Sequence, residues 1–253
     1  MLIETRNEPG GIRILSLNRP PANAIDRNLL DALAAACDEA ANDEAVRAVV
    51  LTGSGKFFSA GLDLKALTAT PEGRSIGFDF GKNDGVFALW TLPKPTVAMV
   101  NGHAIAGGGI LTLACDSRLA ASGKVKIGLN EVAIGLPFPI GAFEIARLSL
   151  TDQQARRVML DAEMYSPERA RELGLVDDVI EPARLEEACL QRARLLGSYS
   201  QTAYAQTKRA LQQAAVDRVR NESRAQRAAI VGAWTAPETT KILKAQLAGI
   251  GKK

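Results

Sequence analysis

Histidine and cysteine are scarce in this sequence, and their scarcity argues against several kinds of catalytic site. The chain has one histidine, His103, and three cysteines among 253 residues. One histidine without a Cys/His cluster argues against a transition-metal site and removes the usual Ser-His and Cys-His catalytic pairs. We therefore expect His103 to be structural. Cys37, Cys115 and Cys189 lie far apart among apolar residues, which predicts buried free thiols rather than disulfides or metal ligands.

The sequence also lacks a long apolar run and a strong excess of one charge. No stretch approaches the ~20 apolar residues that span a bilayer. Glu4, Arg6 and Glu8 stand where a signal peptide needs an apolar core, so we expect a cytoplasmic protein without a membrane partner. The net charge is only +3. Lysines and arginines are scattered rather than striped, which argues against nucleic acid as a partner and is compatible with a small anionic ligand.

Strand and helix patterns alternate over the first 130 residues, which predicts an α/β fold. Strands over 2–6 and 11–18 precede a helix capped by Asp26, and an apolar strand follows over 46–52. We interpret residues 73–85 as a surface loop or a poorly anchored helix. Further strands are predicted over 96–100, 117–121 and 125–128, with a helix over 106–113. Repeated strand-turn-helix modules indicate a wound or superhelical core.

From Pro139 onwards the pattern is mainly helical. Thr151 with Gln154 fits a capping box, and Ser166 precedes a proline at a first helical position. Four later helices are predicted over 184–197, 200–215, 216–232 and 238–247. We divide the chain into a core, 1–195, and a helical region, 196–253. Because the helical region is too small to bury much surface alone, we expect it to pack on the core or on another subunit.

Three consecutive glycines carry the first chemical signal. Residues 96–116 read TVAMVNGHAIAGGGILTLACD, in which an apolar strand breaks and the glycines open a helix. Each glycine costs about 1 kcal/mol relative to alanine in a helix. The glycines therefore either pack the helix start against a strand or leave N–H groups open to an anion. The dinucleotide fingerprint GxGxxG and the Walker loop are both absent.

Glu131 is the carboxylate that most resembles a general base. It stands in KIGLNEVAIGLP, residues 126–137, between apolar neighbours. Burial there would raise its pKa toward the range that a general base needs. The alternative is a surface glutamate at a strand end.

Five motifs, in this order, resemble the crotonase superfamily, also called the enoyl-CoA hydratase/isomerase family. They are NRPPANA at 18–24, FFSAGLDLK at 57–65, NGHAIAGGGILTLACD at 101–116, IGLNEVAIGLP at 127–137 and GLVDDVI at 174–180. The resemblance covers essentially the whole chain. It implies a crotonase-like superhelix of ββα units with a helical C-terminal trimerisation region. It also implies an acyl-CoA thioester as substrate, a homotrimer or hexamer, and no metal or cofactor beyond the coenzyme A of the substrate.

The resemblance also assigns site residues. The backbone N–H groups of Leu62 and Gly108 match the family's oxyanion hole, which stabilises the enolate oxygen of a thioester that has lost its α-proton. The residues implied to bind substrate are Ala60, Asp63, Leu64, Lys65, Gly107, Leu111 and Phe138. Within this set, Lys65 is either near the CoA phosphates or simply solvated, and Asp63 either meets the substrate or caps a turn. Leu111, Phe138 and Trp90 either line an acyl pocket or pack in the core.

The number of carboxylates separates the chemistries of the family. Relatives that add water to a 2-enoyl thioester resemble one another in having two glutamates, but the first of these positions is Leu111 here. The next acid, Asp116, fits a structural residue at a helix end. One carboxylate, Glu131, suffices for a 1,3-proton shift. FSAGLDL at 58–64, the apolar residue at 111 and LNE at 129–131 most resemble the Δ3,Δ2-enoyl-CoA isomerases of fatty-acid breakdown.

Several alternatives remain open at this point. Within the family they are a 2-enoyl-CoA hydratase and an acyl-CoA thioesterase or decarboxylase. Outside catalysis they are a CoA-ester or RNA-binding protein on the same fold. A buried carboxylate without a task is costly, which argues against pure binding. The lack of a basic stripe interleaved with aromatic residues argues against RNA.

Overall fold

The structure is a computed structural model, and it describes residues 1–69 and 71–250. Its strands are β1 (Ile3–Glu8), β2 (Ile12–Leu17), β3 (Ala48–Gly53), β4 (Phe57–Ser59), β5 (Thr96–Val100), β6 (His103–Ile105), β7 (Ser117–Ala121), β8 (Ile127–Gly128) and β9 (Asp178–Ile180). Its first helices are α1 (Arg27–Asn42), α2 (Leu64–Ala69), α3 (Pro71–Phe78), α4 (Gly85–Trp90) and α5 (Gly107–Leu113). A 3-10 turn, Val132–Ile134, precedes α6 (Ile140–Ser149), α7 (Asp152–Asp161), α8 (Pro167–Glu172), α9 (Pro182–Gly197), α10 (Gln201–Arg220), α11 (Arg224–Thr235) and α12 (Pro237–Ile250).

The strands form two sheets, and from β3 onwards the chain alternates between them. The larger sheet has the order β1-β2-β3-β5-β7-β9, and the smaller has the order β4-β6-β8. Only β1 and β2 pair antiparallel; the other neighbouring strands are parallel. Each pair β3–β4, β5–β6 and β7–β8 places one strand in each sheet before the next helical segment. This repetition confirms the predicted α/β fold built from ββα units.

The local signals for helix starts are confirmed. The Asp26 side chain accepts a hydrogen bond from Leu29 N and begins α1. Thr151 and Gln154 form the predicted capping box, and the Ser166 hydroxyl caps α8. Each of these side chains satisfies a backbone N–H that the first turn of a helix leaves without an intrahelical partner.

Other predictions need correction or completion. Strands β4 and β6 were not predicted, because three residues are too few to show a period of two. The predicted helix break after residue 215 is wrong, since α10 continues to Arg220 and buries Ala215, Val216 and Val219 along one side. Of the two alternatives for residues 73–85, the backbone adopts the helical one through Phe78, and the buried Asp84 then caps α4.

The C-terminal helices pack on the core of their own chain. The Arg218 side chain of α10 donates two hydrogen bonds to the buried Glu144 carboxylate of α6, at 2.9 and 2.8 Å. Helix α11 contacts α3, and α12 contacts α2. Residues 251–253 of the predicted helical region lie outside the described residues, and the division at 195/196 stays a prediction. Among the described helices, none combines the length and apolar character needed to cross a membrane.

Candidate active site

The three short parallel strands of the smaller sheet are each followed by one part of the site. Strand β4 leads into the Gly61-Leu62 loop, β6 into the glycines of α5, and β8 into Glu131. Because parallel strands have their carboxyl ends at the same edge of a sheet, these three segments meet there.

The Leu62 amide is oriented by pairing on either side of it. Ile25 N donates to Gly61 O at 2.7 Å, and Asp63 N donates to Ile25 O at 2.8 Å. The Asp63 carboxylate accepts from Arg19 Nη2 at 2.7 Å and from Lys65 N at 2.9 Å. Among the described residues, no protein acceptor takes the Leu62 N–H. The loop is thus held by its neighbours while this donor stays available.

The glycines of α5 lie directly against this loop. A Cβ atom on Gly61 would lie 2.9 Å from Gly107 N, and one on Gly108 would lie 2.2 Å from Ser59 O. Ala106, just before the helix, has φ 51° and ψ −120°, a strained backbone for a residue other than glycine. The helix start is therefore tightly packed, and no described acceptor takes the Gly108 N–H. An anion at these N–H groups stays a prediction.

Glu131 is buried beside these amides with little to stabilise its charge. The residue begins the 3-10 turn, it is 8% exposed, and its Oε2 atom has no hydrogen-bond partner among the described residues. Burial raises the pKa of Glu131 from 4.5 to about 8, opposed only by a hydrogen bond from its own backbone N–H. The predicted burial is confirmed. Such a carboxyl group can release and take up a proton near neutral pH.

One cavity of about 340 Å³ connects these groups. Its walls are mostly apolar and include Phe57, Leu62, Phe80, Ile134, Leu136 and Trp234. Among the described residues, the polar side chains that line it are Asn130, Glu131 and Gln246. Glu131 is therefore the one carboxylate found in the described wall of this cavity.

The predicted site residues divide into two groups. Ala60, Leu62, Leu64, Gly107 and Glu131 line the cavity, and Gly108 lies next to it at the start of α5.

The remaining predicted residues lie elsewhere. Asp63 caps α2 and pairs with Arg19, as its structural alternative predicted. Lys65 is exposed in the first turn of that helix. Leu111 is 1% exposed within the core, and Phe138 packs half-buried against the same core. Leu111 and Phe138 are absent from the cavity wall, so the geometry does not support their assignment to substrate.

A second, larger groove lies beside α10. It has a volume of about 670 Å³ and includes Trp90 and Asp116 in its wall. The Asp116 Oδ2 atom accepts from Thr96 N at 2.9 Å, Tyr204 OH at 3.1 Å and Lys208 Nζ at 2.8 Å. These bonds tie α10 to the larger sheet and confirm the structural role predicted for Asp116. Trp90 therefore lies away from Glu131.

The histidine and the cysteines also behave as predicted. His103 Nδ1 accepts from Lys126 N at 3.0 Å, and its ring lies 4.9 Å from that of Phe57. All three cysteines are buried and free. Within the described part of the chain, no group of three or more His, Cys, Asp or Glu side chains could hold a metal ion.

Sequence reasoning missed Asn130, Phe80 and Trp234 as wall residues. Asn130 directly precedes Glu131, and its Oδ1 atom is buried without a partner among the described residues, so adjacency to the carboxylate was an available signal. Phe80 and Trp234 come from other elements, and no local pattern connects them with Glu131.

Comparison with known proteins decides the family. The model of the family described as enoyl-CoA hydratase/isomerase matches residues 7–247. The chain belongs to this family. Enzymes of the enoyl-CoA hydratase/isomerase family act on acyl-CoA thioesters, so the predicted class of substrate agrees with the match.

Individual relatives of this family carry both activity names. A probable enoyl-CoA hydratase of Mycobacterium avium is 31% identical over 196 residues, which are 77% of this chain and 75% of that protein. A protein of Mycobacterium tuberculosis, named an enoyl-CoA isomerase in one solved structure and a probable enoyl-CoA hydratase in another, is 32% identical in the first, with a TM-score of 0.78 over 92% of this chain and 97% of that one. The family is thus shown, whereas the names leave both reactions open.

The fold agrees with a third protein. The human mitochondrial Δ3-Δ2-enoyl-CoA isomerase has a TM-score of 0.93, covering 100% of this chain and 99% of its own, at 23% identity. At that identity the likeness concerns the fold alone, and it confirms the predicted crotonase-like architecture.

The raised pKa of Glu131 makes stability depend on pH in a defined direction. Between pH 4.5, where this group titrates in the unfolded chain, and about 8, the folded protein binds the extra proton. The contribution of this proton to the free energy of unfolding is therefore fully present below pH 4.5 and is lost as the pH rises through about 8. Glu131→Gln removes this loss, so at pH 8 and above the variant should be more stable by on the order of 4 kcal/mol.

Urea unfolding of wild type and Glu131→Gln at several values between pH 5 and 9 measures this difference. Glu44→Gln, a change at an exposed glutamate, is the matched control and should follow the wild type. Parallel curves for wild type and Glu131→Gln would contradict the raised pKa.

Proposed function

We propose that this enzyme moves the double bond of a 3-enoyl-CoA to the 2 position, with Glu131 as both base and acid. The observation that carries the proposal is the composition of the cavity wall. Glu131 is its one described carboxylate; the cavity wall also contains Leu62, and Gly108 lies next to it, and no described acceptor takes the N–H of either residue. A 1,3-proton shift requires one group that acts first as base and then as acid, and one buried carboxylate can do both.

The reaction follows from these groups in two steps. The Glu131 carboxylate takes a proton from C2, the electron pair of that C–H bond forms a double bond between C1 and C2, and the π pair of the thioester carbonyl moves onto its oxygen, which gives a dienolate conjugated with the C3–C4 double bond. The N–H groups of Leu62 and Gly108 stabilise this oxygen by hydrogen bonds. The protonated Glu131 then returns the proton to C4, which leaves a double bond between C2 and C3. No water, metal or redox partner enters this balance.

The apolar wall supports the same chemistry. Desolvation makes the ionised Glu131 a stronger base than a carboxylate in water, and no described cation pairs with it to reduce that basicity. Arg19, the cation near the oxyanion loop, is already engaged by Asp26 and Asp63. In this proposal the coenzyme A nucleotide lies outside the cavity, near the exposed Lys65.

Hydration of a 2-enoyl-CoA is the second candidate, because close relatives are named hydratases. It needs one group to activate water and another to handle the α-proton. Asn130 and Gln246 supply amides, which do not transfer protons in this way. The homotrimeric or hexameric assembly and the cytoplasmic location remain predictions from the sequence.

Two substrates separate these reactions. We expect the purified protein to convert a trans-3-enoyl-CoA, with a rise in the absorbance of the conjugated enoyl thioester, and to consume a trans-2-enoyl-CoA slowly. Glu131→Gln should lower the rate with the 3-enoyl ester by about 1,000-fold or more, because the sole base and acid is lost. Glu44→Gln should leave it unchanged.

Rapid loss of absorbance with the 2-enoyl ester would instead establish the hydratase. No change in absorbance with either ester would move the assignment to hydrolysis, decarboxylation or binding. Survival of most isomerase activity in Glu131→Gln would refute the role of Glu131.

The oxyanion role of Gly108 needs a change that adds no side-chain atom. Proline would remove the N–H, but a Cβ atom at residue 108 would lie 2.2 Å from Ser59 O and clash with it. Replacing residue 108 by glycolic acid converts the N–H to an ester oxygen and adds nothing. We expect kcat to fall by about 100- to 1,000-fold, while the Kd of a saturated acyl-CoA changes little.

The same ester at Gly123 is the control and should be silent, because Gly123 lies in an exposed turn where even an added Cβ atom would meet nothing within 4 Å. Equal losses in kcat and in acyl-CoA affinity would argue against the oxyanion role.

A further inference from the structure

The Glu131 cavity is closed at one side by a residue from the C-terminal helices. Trp234 lies near the end of α11, is 2% exposed, and contributes its side chain to the cavity wall. It is separated from Glu131 by about a hundred positions in the sequence, and both residues line one cavity, with α11 packed against α3.

The Trp234 ring is held in one orientation by two contacts. Its Nε1–H donates to Pro137 O at 2.9 Å. On another side, a Cβ atom on Gly77 of α3 would lie 1.9 Å from Trp234 Cζ3, so the ring edge lies directly against the Gly77 backbone. A hydrogen-bonded and closely packed indole forms a rigid wall rather than a movable flap.

The two sides of the cavity differ in polarity. Near the loops of the smaller sheet, the wall residues Phe57 and Ala60 are only half-buried and lie close in sequence to the exposed Lys56 and Lys65. The Trp234 side belongs to a buried apolar cluster that also contains Leu67, Ile134, Leu136 and Leu243. A charged nucleotide is excluded from such a cluster by the cost of desolvation. Leu62 and Leu64 of the oxyanion loop pack against this cluster, so it extends from the thioester position to Trp234 and suits an acyl tail better than the coenzyme A nucleotide.

We propose that Trp234 forms the end of the acyl site and sets the longest unbranched acyl chain that the enzyme accepts. This inference rests on the proposed function, since it assigns the substrate class of the same site. The cavity, about 340 Å³, lies at the small end of the range of ligand cavities, about 300–1,000 Å³, and also has to admit part of the pantetheine arm. Short and medium acyl chains fit, and longer ones meet the indole.

Binding of saturated acyl-CoA esters tests this without requiring any reaction. For wild type, we expect affinity to rise about fourfold for each added methylene, until the tail reaches Trp234, and then to stop rising or fall. We call the chain length at which affinity stops rising the break. In Trp234→Leu the break should occur at a chain at least two carbons longer, with about tenfold tighter binding of the first ester that wild type rejects. Trp234→Phe, which disturbs packing less, should shift the break in the same direction.

The other tryptophan provides a matched control. Trp90 is buried to the same 2% exposure but lies in the wall of the separate groove. Trp90→Phe should leave the break at the wild-type chain length. If the break stays at the wild-type length in both folded Trp234 variants, or moves equally in Trp90→Phe, the assignment of Trp234 is wrong.

A spectroscopic readout keeps the test independent of whether Trp234→Leu folds. The chain has two tryptophans, so Trp90→Phe leaves Trp234 as the sole indole emitter. Its fluorescence should change with esters whose tails reach the ring and not with acetyl-CoA. Equal responses to all esters, or no response to any ester that binds, would overturn the proposal.

Failure of this inference can be distinguished from failure of the proposed function. A shifted chain-length break in a protein that does not isomerise 3-enoyl-CoA would retain Trp234 as the end of the site and refute the isomerase. Normal isomerisation with an unshifted break would support the isomerase and refute Trp234 as the end of the acyl site.

Discussion

The desolvation of the Glu131 carboxylate is the constraint on which the rest of the site depends. An ionised carboxylate in an apolar cavity loses its hydration. No described cation neutralises the Glu131 charge, so burial raises the pKa of Glu131 to about 8. A lysine or arginine beside it would restore an ordinary acid and weaken the base. In the proposed reaction the oxyanion is stabilised by backbone N–H groups, which supply positive partial charge to the substrate without forming an ion pair with Glu131.

The fold assembles these groups from repeated local units. The Leu62 amide, the α5 glycines and Glu131 follow β4, β6 and β8, so three neighbouring parallel strands bring these groups to one edge of the smaller sheet. Close packing fixes their positions, because Gly61 and Gly108 leave no room for a Cβ atom between the loop and the helix. The C-terminal helices then cover the apolar side, with Trp234 in the wall.

Local chemistry in the sequence predicted the parts of this site that depend on near neighbours. The apolar residues around Glu131 predicted its burial, the glycine run predicted the start of α5, and the acidic Asp63 fitted a helix cap. The cap of α1 at Asp26 was predicted for the same reason, since a capping bond spans only three residues.

The remaining parts depend on contacts between distant elements. Trp234 donates to Pro137 O, which is 97 positions away in the sequence, and no period or motif predicts such a contact. Leu111 follows the glycines, but its direction from α5 carries it into the core rather than the cavity, which residue type alone does not reveal. The strands β4 and β6 are recognisable only from their pairing with each other and with β8.

The transfer of a hydrogen label tests most directly whether one sheltered carboxylate serves as both base and acid. A 3-enoyl-CoA carrying deuterium at C2 is converted in ordinary water, and the deuterium at C4 of the product is measured by mass spectrometry after a single turnover. The account predicts that part of the label removed from C2 appears at C4, because Glu131 holds the deuteron in a water-poor cavity between the two steps. Complete loss of the transferred label to solvent, from the first turnover, would contradict it.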